Sequence, residues 1–179
     1  MKIDEKEKQF TEIYERELDS IFRYALLRTS SRDQALDIAQ EAFTKLWKAF
    51  LSETQIKYPK AFLFTVTRNL IIDWYRKKKS ISMEAISVNE EGDSYEFVDN
   101  NSYKNIQLSA EAREVIDTIR KLDPKHQEIL YLRLVEDMLP QEIAELLQIT
   151  PNATSLRIIR AMNELRKEMK ITTTPKTEI

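Results

Sequence analysis

The chain has no cysteine among its 179 residues, one histidine and one glycine. Without cysteine there can be no disulfide, no thiolate metal site and no cysteine nucleophile. The lone histidine, His126, falls in the first turn of a helical pattern, which also removes a histidine-based metal cluster. No cofactor or metal is expected. One glycine and five prolines are too few for the many turns of a β-rich fold. No apolar run approaches the roughly 18 residues needed to cross a membrane, and none follows a basic segment at the N-terminus. The sequence therefore reads as soluble and cytoplasmic, without membrane insertion.

What the chain has in quantity is helix-forming residues. Glu, Lys, Leu, Ile and Ala dominate, and a hydrophobic content of 42% is enough for real cores, so the expected class is all-α. The net charge is −2, which is poor for a stand-alone DNA binder. Its distribution matters more. Acids gather in residues 1–20 and 84–99, while Arg76–Lys79 and the last long helical pattern are basic. Such patching suits a protein that binds DNA weakly while docking on another protein that carries most of the affinity.

The most informative stretch is Leu122–Lys170, where three helical patterns are separated by two short breaks. The first runs from Pro124 to about Val135, with Ile129, Leu130, Leu132, Leu134 and Val135 as its apolar stripe. Asp123 is a natural N-cap, and Pro124 stands where a missing N–H costs nothing. The second spans Pro140–Leu147, with Ile143, Ala144, Leu146 and Leu147 inward. The third opens with Thr150 as cap and Pro151 as first residue, then carries Leu156, Ile158, Ile159, Met162 and Leu165. A short helix, a turn of about three residues and an Arg-rich helix make a helix-turn-helix, whose second helix enters the DNA major groove. Arg157, Arg160, Arg166, Lys167 and Lys170 outnumber Glu164 and Glu168 there. On this segment alone, a helical hairpin with a solvated charged face remains the alternative. Gln148 sits where the turn asks for a left-handed residue, and Leu139 where it asks for a cap. Each costs on the order of 1 kcal/mol, and neither forbids the motif.

Residues 5–28 form a first amphipathic helix, with Phe10, Ile13, Tyr14, Leu18, Ile21, Phe22, Ala25 and Leu26 at helical spacing. It ends near Thr29-Ser30-Ser31, and Ser31 caps a second helix whose first turn holds Asp33. There Ala35, Ile38, Ala39, Ala42, Phe43, Leu46, Trp47 and Phe50 form the inner stripe, leaving Asp37, Gln40, Glu41, Thr44 and Lys48 outside. After a loop at Leu51–Tyr58, Pro59 starts a third helix running to about Lys79. Its inner face takes Phe62, Leu63, Val66, Leu70 and Trp74. Trp74 and Tyr75 directly precede the run Arg76-Lys77-Lys78-Lys79. Aromatics interleaved with cations suit melted DNA, where bases stack and phosphates pair. A helix C-terminus decorated with cations that complement its dipole explains the same residues without DNA.

The expected organisation is two small helical domains. Residues 1–80 form a three- or four-helix N-terminal domain, and residues 107–172 a four-helix C-terminal domain containing the helix-turn-helix. An acidic linker without sustained period occupies residues 81–106, and residues 173–179 form a tail. Such a linker lets the domains pack together or stay apart.

Three motifs now meet a known family. The stretch Asp33–Trp47, DQALDIAQEAFTKLW, resembles the core-polymerase-binding helix of extracytoplasmic function (ECF) sigma factors. Ala61–Lys79, AFLFTVTRNLIIDWYRKKK, resembles that family's promoter-melting and minus-ten-reading helix. The end of the chain, from LDPKHQEILYLRLVED through QEIAELLQITPNATSLRIIRA, resembles its minus-thirty-five-reading domain. All three stand in the family's order and spacing across most of the chain.

The resemblance implies roles. Asp37, Gln40, Glu41 and Lys45, flanked by Phe43 and Trp47, match the surface that docks the clamp of RNA polymerase, with at least one of the two aromatics expected in the core. Asn69 matches the position that reads the minus-ten strand, and Lys57, Tyr58 and Lys60 border the loop that captures a flipped base. Arg68, Asp73, Arg76, Lys77 and Lys78 complete that surface, the cations holding phosphates. Asn152, Ser155, Leu156 and Ile159 match groove-facing positions of the recognition helix, with Arg157 and Arg160 on phosphates. The implied partners are core RNA polymerase through its β′ clamp and β flap, promoter DNA, and an anti-sigma protein.

One departure has consequences. Where the family tends to read Gly-Thr-Val-Lys-Ser-Arg, this chain has Asn152-Ala153-Thr154-Ser155-Leu156-Arg157. A cation able to pair with guanine is replaced by Ser155, and Leu156 offers apolar contact to a thymine methyl, so upstream readout should lean towards A·T pairs and DNA shape. The expected function is that of a non-enzymatic specificity subunit directing polymerase to promoters. The alternative is a stand-alone helix-turn-helix regulator, which would bind an operator tightly without polymerase. An enzyme on nucleic acid is a third class, but its paired acids, such as Glu90 and Glu91, lie in the linker and no phosphate-binding loop accompanies them.

Overall fold

The computed structural model describes residues 3–52, 54–81 and 109–169. The expected linker falls almost wholly outside these residues, and so do Lys170 and the tail. Among the described residues there are seven α-helices: α1 (Ile3–Thr29), α2 (Arg32–Leu51), α3 (Pro59–Ile81), α4 (Ala110–Ile119), α5 (Pro124–Leu130), α6 (Pro140–Leu147) and α7 (Pro151–Glu168). The first three pack on one another, and α4 to α7 form a second group around α7.

Local chemistry places the helix ends where the sequence puts them. Ser31 accepts from the Gln34 amide at the start of α2, Asp123 from Lys125 at the start of α5, and Thr150 from Ala153 at the start of α7. Gln148 adopts φ 52 and ψ 43, the left-handed turn expected of it. Leu139 has no capping oxygen, but the Glu142 carboxylate reaches back 2.8 Å to its amide and satisfies one of the orphan donors.

Three expectations are corrected. The helix expected over Pro124–Val135 stops being an α-helix at Leu130 and continues as a wider, π-type turn over Tyr131–Val135. Residues 127–132 are all buried, so this segment is surrounded rather than amphipathic, and the wider turn carries Leu134 out to 41% exposure. In α3, Ala61, Phe64, Ile71 and Ile72 are buried, whereas Phe62, Val66, Leu70 and Trp74 are only partly so. The cause is a second neighbour: α3 is covered by α1 and α2 on one side and by α6 on another. Tyr14, placed on the inner stripe of α1, is 39% exposed.

That second neighbour joins the two helical groups. Core residues of both, from Leu27 and Phe64 to Tyr131 and Ile143, belong to one continuous cluster. Buried charge crosses the junction as well. Arg28 at the end of α1 and Glu128 in α5 pair at 2.7 Å, with side chains 1% and 4% exposed. The Tyr24 hydroxyl donates to the same carboxylate at 2.6 Å, and the Arg28 guanidinium lies 3.5 Å from the centre of the Tyr24 ring.

Candidate functional site

Helix α2 separates its stripe from its outer face cleanly. Ala35, Ile38, Ala39, Ala42, Phe43, Leu46 and Phe50 are buried, while Asp37, Gln40, Glu41 and Lys45 are exposed. Lys45 sits one turn after Glu41 and pairs with it at 3.2 Å, on a face open to water. Phe43 is the aromatic expected in the core, at 3% exposure. Trp47 is half-buried, its ring 5.3 Å from that of Phe10. Phe10, Tyr14, Phe43 and Trp47, with Gln40 and Thr44, line a shallow groove between α1 and α2. The candidate polymerase-facing residues therefore form a polar ridge beside an aromatic groove.

The candidate minus-ten residues fall into two sets. Asn69, Asp73, Arg76, Lys77 and Lys78 are exposed along α3, with Arg68 half-buried beside them. Arg76 lies 3.7 Å from Asp73, and the Lys78 ammonium 5.1 Å above the Trp74 ring. The Trp74 and Tyr75 rings meet at 4.8 Å. Tyr75 is turned inward, its hydroxyl donating to the Arg28 carbonyl, and burial pushes its pKa up. This set combines cations, a free amide and an accessible indole on one helix.

The second set is engaged by the C-terminal helices. The Tyr58 hydroxyl donates to Oε1 of Gln141 in α6 at 3.2 Å. Lys60 donates to the Glu136 carbonyl at 2.5 Å and lies 3.6 Å from the Glu17 carboxylate. Lys57 stays exposed, its ammonium 5.0 Å above the Tyr58 ring. Lys57 and Tyr58 line a cleft whose other wall is Gln141, Glu145 and Gln148 of the helix-turn-helix.

On α7, Asn152, Ser155, Leu156, Arg157, Ile159 and Arg160 are all exposed, while Thr154, Ala161 and Leu165 hold the opposite side in the core. Leu156 and Ile159 are 54% and 56% exposed, unusual for large apolar side chains on a helix that has a core to pack against. The exposed Ser155 hydroxyl donates to the Pro151 carbonyl at 3.0 Å, which leaves its oxygen able to accept.

Sequence reasoning missed the buried polar network between these surfaces. Tyr131 donates to Glu136 at 2.8 Å, and Arg23 lies 3.5 Å from the same carboxylate. Burial opposes the charge of Arg28, yet Glu128 and the Tyr24 oxygen hold its pKa above the ordinary arginine value. Burial, with Glu128 beside Tyr24 and Glu136 beside Tyr131, raises both phenols well above theirs. The one available signal was position: Arg28 continues the inner stripe of α1 from Ile21 and Tyr24, and Glu128 shares a face with Leu132. Among the described residues no group of His, Cys, Asp and Glu could hold a metal, and no helix is long and apolar enough to cross a membrane.

Comparison with known proteins matches this layout. The family model "Sigma-70 region 2" covers residues 13–81, and "Sigma-70, region 4" covers residues 112–165. The chain is 27% identical over 158 residues to RNA polymerase sigma factor YlaC of Bacillus subtilis, covering 88% of this chain and 90% of that one. It is 28% identical over 166 residues to ECF RNA polymerase sigma factor SigW of the same organism, covering 90% and 89%. In fold it is similar to the sigma factor RpoE of Bartonella quintana, solved with the anti-sigma factor NepR. That match has a TM-score of 0.64 and 20% identity, over 92% of this chain and 99% of that one. CnrH, solved with the cytosolic domain of CnrY, gives 0.60 and 20%, over 93% and 91%.

Proposed function

The chain belongs to the ECF group of sigma-70-type RNA polymerase sigma factors, and on that premise we propose how its surfaces divide the work. A sigma factor of this group directs core RNA polymerase to promoters and starts DNA-templated transcription, and the family is not an enzyme class. Residues 1–80 and 107–172 are read as its two working domains, joined by the acidic segment 81–106.

The polar ridge of α2 docks on the β′ clamp of the polymerase. Asp37, Gln40, Glu41 and Lys45 supply directional contacts, and Trp47 supplies the apolar anchor beside them. The α3 surface opens and reads the minus-ten element. Asn69 pairs with a base edge, Trp74 offers a stacking face, and Arg68, Arg76, Lys77 and Lys78 hold phosphates. Lys57, Tyr58 and Lys60 border a flipped base, and the C-terminal domain also meets the β flap. Helix α7 enters the major groove of the minus-thirty-five element, with Arg157 and Arg160 fixing the register and Asn152, Ser155, Leu156 and Ile159 towards base edges.

The observation that carries this reading is the sidedness of α7. All six candidates face solvent on one helix whose other side is locked into the core. The net charge of −2 fits a factor that gains affinity for DNA only on the polymerase. The chain acts in the cytoplasm, and an anti-sigma protein is a further partner, as the RpoE–NepR pair illustrates for a protein of the same fold.

Two titrations test the division. Replacing Gln40 and Glu41 by Ala should weaken binding to core polymerase about tenfold or more, whereas Asn69→Ala should leave core binding intact and reduce only promoter opening. Equal loss of core binding in both would contradict it.

A further inference from the structure

We propose that Glu17 is a positioning residue for minus-ten recognition: its buried carboxylate holds the Lys60 ammonium at the base-capturing loop, so that the cation meets the DNA strand already ordered. The proposal rests on the reading of Lys60 given above, and the closing experiment separates the two.

The first observation is where Glu17 sits. Ile13, Glu17, Ile21 and Tyr24 follow one another at helical spacing along α1, and all four are buried. A carboxylate thus occupies a core position of the stripe. Packing gives no reason for it, because an apolar side chain of similar volume fills such a position without the desolvation that a buried charge costs. Helix chemistry gives none either, since Glu17 lies in the middle of α1, far from the positive end of that helix.

The second observation is what the carboxylate faces. Its Oε1 accepts from Arg16 at 2.7 Å, and its Oε2 lies 3.6 Å from Lys60 Nζ. The Arg16 side chain is 63% exposed and that of Lys60 21%, against 4% for Glu17. An ion pair as open to water as that with Arg16 is worth little, so the more enclosed Lys60 is the partner that answers the buried charge. Lys60 is the second residue of α3, whose first turn carries no acid. A cation there opposes the positive end of the helix. Each charge is therefore out of place on its own helix, and the two are matched only across the gap between α1 and α3.

The third is what the pairing does to the ammonium. A lysine's flexible four-carbon stem leaves its charge loosely placed unless something tethers it. Fixing such a side chain on binding costs roughly two- to tenfold in affinity, and Glu17 removes that cost beforehand. At 3.6 Å the tether is charge attraction rather than a hydrogen bond. Of the three ammonium donors the Glu136 carbonyl takes one, which leaves donors for a phosphate or a base edge beside Lys57 and Tyr58. Glu17 and Lys60 both lie in the group α1 to α3, so their pairing is internal to that group.

The test uses holoenzyme formed with core RNA polymerase, on a promoter that the unmutated chain opens, with permanganate reactivity of unpaired thymines as the measure of opening. Glu17→Met keeps the volume and removes the charge; Glu17→Gln keeps the shape. Both should bind core polymerase as the unmutated chain does, yet raise the holoenzyme concentration needed for half-maximal opening at least threefold. E17M should also keep the urea midpoint, which a residue needed for the fold alone would not allow together with a loss of opening. In a Lys60→Met background E17M should add less than about 1.5-fold, because the ammonium that Glu17 positions is already gone. A folded E17M that opens the promoter like the unmutated chain, or that loses equally with and without Lys60, overturns the positioning role and leaves the reading of Lys60 intact. If K60M alone opens the promoter normally, the reading of Lys60 fails and the proposal fails with it. If both Glu17 variants unfold, Glu17 serves the core and the proposal is overturned.

Discussion

Arg28 and Glu128 stand 100 positions apart in the chain and meet at 2.7 Å in its interior. The contact fixes the end of α1 against α5 of the second helical group. Removing one partner leaves the other charged and buried, so Glu128→Gln should destabilise the chain by about 3 kcal/mol or more in urea unfolding. The exchange R28M/E128M should cost less than about 1.5 kcal/mol, or stabilise. Equal losses in the two variants would mean that packing volume, not charge, makes this junction.

The same pocket predicts an alkaline limit. Tyr24 and Tyr131 are buried, and burial together with the nearby carboxylates raises both phenols above their ordinary pKa. A raised folded pKa favours the protonated phenol in the folded state. The stability it confers is complete below the unfolded value of about 10 and is lost as pH rises from there towards the folded values. Arg28, held above the ordinary arginine pKa, keeps its charge through the start of this window. Unfolding free energy should therefore fall above about pH 10 with a slope near 1.4 kcal/mol per pH unit for each phenol. Tyr24→Phe should remove one phenol's share of that slope. A slope identical in Y24F would contradict the assignment.

Much of this fold was legible because capping and periodicity are local. Ser31, Asp123 and Thr150 cap the helices they were expected to cap, and the α2 stripe is buried residue for residue except for half-buried Trp47. The failures on α3 and around Glu128 share one cause. Whenever a second neighbour covers a helix, a single-stripe reading misassigns its outer residues, as with Phe64 and Ile71 in α3 and the segment around Glu128. The partner of Arg28 lay too far along the chain for any spacing rule to connect. For the candidate site, the outer face of α2 could be read from period alone and the groove-facing positions of α7 only from the family resemblance, since period set Leu156 and Ile159 among its apolar residues. The division of the minus-ten residues into open and covered sets could not be read, because it depends on where α6 docks.

The turn of the helix-turn-helix gives an improvement that the sequence already marks. Gln148 holds φ 52 with a Cβ that this region penalises. Gln148→Gly should stabilise the chain by roughly 1 kcal/mol, read as a higher urea midpoint with an unchanged slope. A destabilised variant would show that the Gln148 side chain contributes more than its backbone strain costs.

On α7, the outward Leu156 and Ile159 predict readout of thymine methyl groups. Leu156→Ala, or uracil in place of thymine in the upstream element, should each weaken holoenzyme binding by about 1 kcal/mol. Combined, they should cost little more than either alone, because both remove the same contact. Replacing guanines in that element should matter less. Strong guanine dependence would contradict an A·T-leaning readout.

The most direct measurement is run-off transcription with purified core RNA polymerase on a pool of upstream DNA from the chain's own genome. Specific transcripts should appear only when the protein is added. They should fade when Gln40 and Glu41 become Ala because polymerase is no longer held, and when Asn69 becomes Ala although polymerase still is. If no transcript forms while the protein alone retards one DNA fragment tightly, the polymerase-facing role of α2 is wrong and the chain acts as a regulator by itself.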